Sequence, residues 1–403
     1  MQNLDNILEL DECSKLNMLV IDNFYENPYA VRKFALSQDK FLNRQSPGYE
    51  TQSFLSIELK NNLQKILQSF GELSFEDNTI SKQNTGSFFL NTSNTPAPWI
   101  HKDKPHYSAI IFLSENAPIS SGTSILKLKN TQNGCIFDKN DRIFDKTTCI
   151  EIDNIGNKFN RVLIFNSHNY HVPNNYFGIN DEDGRLTQVV WFNIISNNKE
   201  VDTSLCMNNN IIEPIKSKYP CKLHSELNCD FMIIDNFYDN PLEVRNFALS
   251  QKFYITGKFT GIRSSQFLTN NIIKKIDMYL SQFGVDMGNI RKKNSNFGSF
   301  QNITCKERQC IYKDFDYDWI GIIFLNPDAP ITSCLSLYEY YDKTTTIENQ
   351  NKYSFDLTKW IQFDSIGNIF NRFVLFNAKY YYMLKDNFGN DINNGNLVQI
   401  FLI

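Results

Sequence analysis

"MLVIDNFYENPYAVRKFALSQ" at residues 18–38 returns as "FMIIDNFYDNPLEVRNFALSQ" at residues 231–251. Each copy opens with a short apolar strand, 18–21 or 232–234. Asn27-Pro28 and Asn240-Pro241 then read as the N-cap and first position of a helix. An Asn side chain satisfies the free N–H groups of a first turn, and proline has no N–H to leave unpaired. Val31, Phe34 and Ala35, repeated as Val244, Phe247 and Ala248, give that helix a buried stripe at i, i+3 and i+4. A second helix is predicted over 59–70 and 272–283.

The repetition continues in unchanged order. "NTGSF" at Asn84 matches "NFGSF" at Asn296, and "NAPIS" at Asn116 matches "DAPIT" at Asp328. "IGNKFNRVLIFN" at Ile155 matches "IGNIFNRFVLFN" at Ile366, and "RLTQVVWF" at Arg185 matches "NLVQIFLI" at Asn396. This is duplication of a whole domain, not a short solenoid repeat. At 403 residues the chain also exceeds the usual size of one core. After the helices, each copy is a series of short apolar or alternating segments punctuated by Asn, Gly, Pro and Asp, which read as strands. The expected fold is α+β, mainly β: two tandem double-stranded β-helix domains (jelly-roll, cupin-like), each with N-terminal helices. The predicted divisions are 1–195, a linker over 196–228 where "SNNKEVDTSLCMNNN" has no apolar period, and 229–403.

Forty basic against 44 acidic residues give a net charge of −4, which argues against nucleic acid or an anionic membrane as partner. No apolar run reaches membrane-helix length, and the start has early acids with no basic-then-apolar order. Nine cysteines, an odd number without CxxC spacing, read as reduced thiols and not as a zinc site. A soluble cytoplasmic protein is the expectation.

Four of the five histidines fall in two stretches, His101 and His106, then His168 and His171. His101 and Asp103, two apart in a predicted strand, project from one face. A divalent metal bound by that pair needs a third ligand, and "NRVLIFNSHNYHVP" supplies candidates at the end of another strand. Two histidines and one carboxylate on one face of Fe(II) leave the opposite positions open. Further on, alternation places Arg185, Thr187, Val189 and Trp191 on one face of a strand. An arginine facing a barrel interior is costly unless an anion meets it, and a guanidinium suits a carboxylate.

The order HxD, distal His, Arg resembles the prolyl-hydroxylase-like branch of the Fe(II)/2-oxoglutarate dioxygenases. "VIDNFYENPYAVRKFA" and "PWIHKD…YSAIIFLSENAPISSGTS" look like an uncharacterised family within it. The resemblance spans about residues 16–195 and, without the chemistry, the second copy. It implies that His101, Asp103 and His171 (not His168) hold Fe(II), and that Arg185, assisted by Thr187, grips 2-oxoglutarate. O2 and an unidentified primary substrate complete the implied partners. "NTGSFFLN" departs from the pattern, lacking a tyrosine that related enzymes use as a cosubstrate contact. His106 and His168 read as supporting or surface groups.

The second copy lacks the histidines. Aligning "IHKD" with "IYKD" puts Tyr312 and Asp314 at the HxD positions, and a gapless alignment puts Lys313 and Phe315 there; Tyr382 replaces His171 and Asn396 replaces Arg185. This is a degenerate pseudo-oxygenase copy, expected to act through packing or an oligomer contact. The alternatives are a non-catalytic structural or binding protein built from two jelly rolls, and a cupin-like metal enzyme that leaves Arg185 unexplained.

Overall fold

The computed structural model describes residues 4–42, 47–75, 84–129, 142–195, 219–225, 227–255, 260–285 and 297–403. Most of the expected linker, 196–218, lies outside the described residues. The chain is mainly β with few helices, and its strand pairings are antiparallel. No described helix is long and apolar enough to cross a membrane. The described cysteines are free thiols.

The helices form where their caps permit. Asn27 and Asn240 cap Pro28–Leu36 and Pro241–Leu249. Ile57–Leu67 and Asn270–Ser281 begin two residues ahead of expectation because Ser56 and Thr269 accept from the backbone N–H groups of Leu59 and Ile272.

The strands assemble into two open sheets. The larger runs from Phe253–Tyr254 at one edge to Phe41–Leu42 at the other, and its middle is Lys15–Asp22 paired with Asn228–Asp235. The smaller has six strands, and at its middle Cys149–Ile155 pairs with Trp360–Gly367. Both sheets therefore pass without a break from one copy into the other. Alternation divides the large sheet's side chains. Leu19, Ile21, Ala109, Ile111, Val190 and Phe192 pack with the helices, while Met18, Val20, Phe112, Leu163 and Phe165 pack with Ile125, Ile155, Leu335 and Ile366 of the small sheet. The result is three layers: helices, large sheet, small sheet.

A buried ionic exchange joins the copies. Arg161 reaches Asp22 of its own copy (2.5 Å) and Asp364 of the other (2.9 Å). Arg372 reaches Asp235 of its own copy (2.7 Å) and Asp153 of the other (2.8 Å). Each crossing carboxylate also accepts a glycine N–H, Gly156 onto Asp364 and Gly367 onto Asp153. These arginines are the ones that the repeated "FNR" keeps in both copies.

Candidate metal centre

His101 and His171 meet as cross-strand partners in an isolated antiparallel bridge, N–H to O=C at 3.1 and 2.9 Å in the two directions. His171 belongs to the small-sheet strand Tyr170–Pro173, paired with Ile125. His101 and Asp103 do not lie in the continuous strand that the HxD spacing predicts. The chain leaves the bridge after His101 and bends at 104–106, where Pro105 has no N–H to give to a ladder. Asp103 is held by its own N–H to Ser167 O at 2.9 Å.

The side chains nevertheless converge. One ligand atom from each of His101, Asp103 and His171 lies within 4.8 Å of the others. His101 Nε2 is 3.8 Å from Asp103 Oδ1, and His171 Nε2 is 3.5 Å from Oδ2. His101 Nδ1 contacts Trp99 O at 3.1 Å and His171 Nδ1 contacts Asn169 O at 3.0 Å. A carbonyl only accepts, so each Nδ1 carries the proton and each Nε2 keeps its lone pair for a metal. Phe165 packs edge-on against the His171 ring, with centroids 4.8 Å apart.

Burial, reinforced by neighbouring His171, pushes His101 down to about 4, so its ring is neutral near pH 7. Burial works to raise the Asp103 carboxyl. The neighbouring imidazoles, His171 foremost and then His101, together with the Trp191 N–H, outweigh burial and hold it well below the usual range. His168 is exposed, with Nε2 3.1 Å from Lys104 O and its ring edge-on to that of His106. Neither His168 nor His106 joins the cluster among the described residues.

Arg185 opens the strand Arg185–Ile195. Its neighbours on the opposite face, Leu186, Val190 and Phe192, pack toward the helices, so Arg185, Thr187, Val189 and Trp191 face the small sheet. Trp191 touches Asp103 by a 2.8 Å hydrogen bond. At the other end, Arg185 is buried; its Nε donates to Ser121 O at 3.2 Å and its Nη2 has no hydrogen-bond partner among the described residues. Burial pulls it down to about 10, and the nearby Tyr176 phenol, not a carboxylate, is what opposes the fall. Thr187 is buried beside it, and Thr123 Oγ1 is a second buried polar atom without a partner. "NTGSFFLN" carries no tyrosine, and the phenol that stands near Arg185 is Tyr176, from the loop after His171. Sequence reading passed over Tyr176, Ser108 and Ser121, because no local spacing ties them to the site.

Between these ends the floor is accessible: Phe89, Ile110, Val189 and Trp191 are only partly buried. Their counterparts Gln301, Ile322, Ile400 and Leu402 are buried. Tyr312 and Tyr382 take the histidine positions in an equivalent bridge, and their ring centroids are 4.3 Å apart, as are those of His101 and His171. Tyr382 donates to Asp314 Oδ2 at 2.6 Å, which selects the "IHKD"/"IYKD" alignment; Phe315 is exposed. Asn396 Oδ1 accepts from Asn368 where the first copy has its arginine. Arg263, from the strand Ile262–Gln266, packs beside Tyr312, Tyr382 and Asp314 and donates to Gln301 Oε1 at 3.0 and 2.8 Å.

No protein-family model matches the chain, and no curated protein matches its sequence. Among solved structures, HygX from Streptomyces hygroscopicus with nickel, 2-oxoglutarate and hygromycin B bound aligns over 44% of this chain and 82% of its own, at 12% identity and a TM-score of 0.29. Procruciferin, an 11S globulin from Brassica napus, aligns over 99% of this chain and 86% of its own, at 7% identity and a TM-score of 0.17. Likenesses this weak carry no argument, and the functional reading rests on the side chains.

Proposed function

We propose that this chain is an Fe(II)/2-oxoglutarate-dependent oxygenase, a hydroxylase working through its first copy, 1–195. The second copy, 229–403, would be a degenerate partner in the same tandem jelly-roll design. The observation that carries the reading is the shared sheet face: two imidazole lone pairs and a carboxylate converge at one end, and a buried, partly unpaired guanidinium waits at the other. The donor set fits a divalent metal of intermediate softness, and among the described residues no carboxylate acts on Arg185. Bound there, Fe(II) with 2-oxoglutarate and O2 would supply the oxidising chemistry for a C–H bond.

The chain's own residues do the rest. His101 and His171 present Nε2 because the carbonyls of Trp99 and Asn169 fix their tautomers. Arg185 receives the far carboxylate of the cosubstrate in a charge-assisted pair, with Thr187 and Thr123 offering hydroxyls alongside. Phe89, Ile110 and Val189 line the floor with apolar surface that excludes water from the cosubstrate's length. O2 and a primary substrate enter from the side where 32% of the His101 side chain is exposed.

The test is anaerobic metal binding followed by succinate formation from 2-oxoglutarate on adding O2. The wild-type chain is expected to bind one Fe(II) and form succinate, His171→Ala to do neither, and His168→Ala to do both. If His168→Ala loses the metal and His171→Ala keeps it, the ligand assignment is wrong. A wild-type chain that binds no metal ends the enzyme reading.

A further inference from the structure

Asp103 is the ligand with the weakest local support, since it lies between the bridge at His101 and the bend at 104–106 and not in a strand. Its position is imposed from the large sheet. Oδ2 accepts from Ser108 Oγ at 2.8 Å and from Trp191 Nε1 at 2.8 Å. The two donors are directly opposite one another, Trp191 paired with Ser108 in an unbroken antiparallel register. An indole N–H can only donate, and this one is partly buried. Oδ2, which lies 3.5 Å from His171 Nε2, uses its two lone pairs on these donors, while Oδ1, 3.8 Å from His101 Nε2, keeps its own open.

The second copy provides an internal comparison. There Ile320 and Leu402 form the corresponding cross-strand pair. Asp314 keeps its carboxylate, but Oδ2 accepts from Tyr382, the residue in the distal histidine's place. The clamp is present where the histidines are present and replaced by hydrocarbon where they are gone. A pair needed only to pack the sheet would have no reason to follow the histidines.

Resting on the metal-centre reading, we infer that Trp191 and Ser108 are positioning residues: they hold Asp103 by Oδ2 so that it binds the metal through Oδ1 alone. A carboxylate confined to one bond leaves an additional coordination position for small ligands.

The experiment is equilibrium titration of the full-length apoprotein with Mn(II), read by electron paramagnetic resonance, for wild type, Trp191→Phe, Ser108→Ala and Ser108→Thr. Losing either donor is expected to raise the Mn(II) dissociation constant about 10- to 100-fold. Ser108→Thr, which keeps the hydroxyl, is expected to stay near the wild-type value. Ser108→Ala removes one oxygen atom from a packed sheet, so it remains informative if Trp191→Phe fails to fold. With Co(II), both weakened variants are expected to show a visible spectrum altered in intensity as the carboxylate turns to offer both oxygens. Wild-type binding with unchanged affinity and spectrum in Trp191→Phe and Ser108→Ala overturns this inference alone. Absence of binding in the wild type overturns the metal centre and this inference with it.

Discussion

Arg185 is the residue whose environment is hardest to explain by stability. It is buried, has one backbone acceptor for its Nε, and leaves Nη2 without a hydrogen-bond partner among the described residues. Replacing a poorly compensated buried charge by hydrocarbon of similar volume is often neutral or stabilising. Arg185→Met is therefore predicted to leave the apoprotein's unfolding free energy unchanged or raise it by about 1 kcal/mol, measured by urea denaturation. The same substitution should abolish the rise in melting temperature that 2-oxoglutarate gives the wild-type protein. A loss of stability of several kcal/mol would instead identify Arg185 as a structural residue. Its type and its face were both legible in "RLTQVVWF", because alternation determines the face. That its Nη2 stays unpaired was not, since that depends on Ser121 and Tyr176, which reach Arg185 from other elements.

At the scale of elements, the decisive unit is the isolated bridge between the chain at His101 and the strand Tyr170–Pro173, built again at Tyr312 and Tyr382. The two bridges have the same hydrogen-bond directions and the same ring separation, so the second copy lacks the imidazoles and not the geometry that carries them. Tyr312→His with Tyr382→His, combined with Arg263→Met to remove the buried cation beside them, is predicted to create a second, weaker metal site with Asp314. Equilibrium dialysis against Mn(II) should then find two metals per chain in place of one. A stoichiometry that stays at one would mean that the lost clamp and filled floor, and not the tyrosines, closed the second site. The order HxD, His, Arg could be read along the chain. That Asp103 leaves the strand could not, because Pro105 acts through the ladder it interrupts.

Across the whole molecule, the two copies share both sheets, and the Arg161–Asp364 and Arg372–Asp153 pairs cross between them with all four side chains buried. Removing one partner leaves the other as an uncompensated buried charge. Asp364→Ala is predicted to cost about 3–5 kcal/mol, although the residue lies in the second copy and far along the chain from Arg161. Trp99 and Trp191 lie in the first copy and Trp319 and Trp360 in the second, so fluorescence reports on both. Unfolding followed by fluorescence and by far-ultraviolet circular dichroism should coincide in one transition. Two separated transitions, or an Asp364→Ala variant as stable as wild type, would mean that the copies are held by less than this exchange.

The sequence by itself determined the duplication, the caps and stripes of the helices, the alternation of the strands, and which copy has the paired histidines and Arg185. These are local or periodic properties, carried by residues a few positions apart. Only the tertiary structure decided that the copies merge through Lys15–Asp22 and Asn228–Asp235, that both repeated arginines serve the junction between copies, and that Ser108 and Trp191 aim the carboxylate. Those contacts join residues remote in the chain. A sequence pattern specifies which face a side chain takes, but the partner it meets there depends on how the sheets close around it.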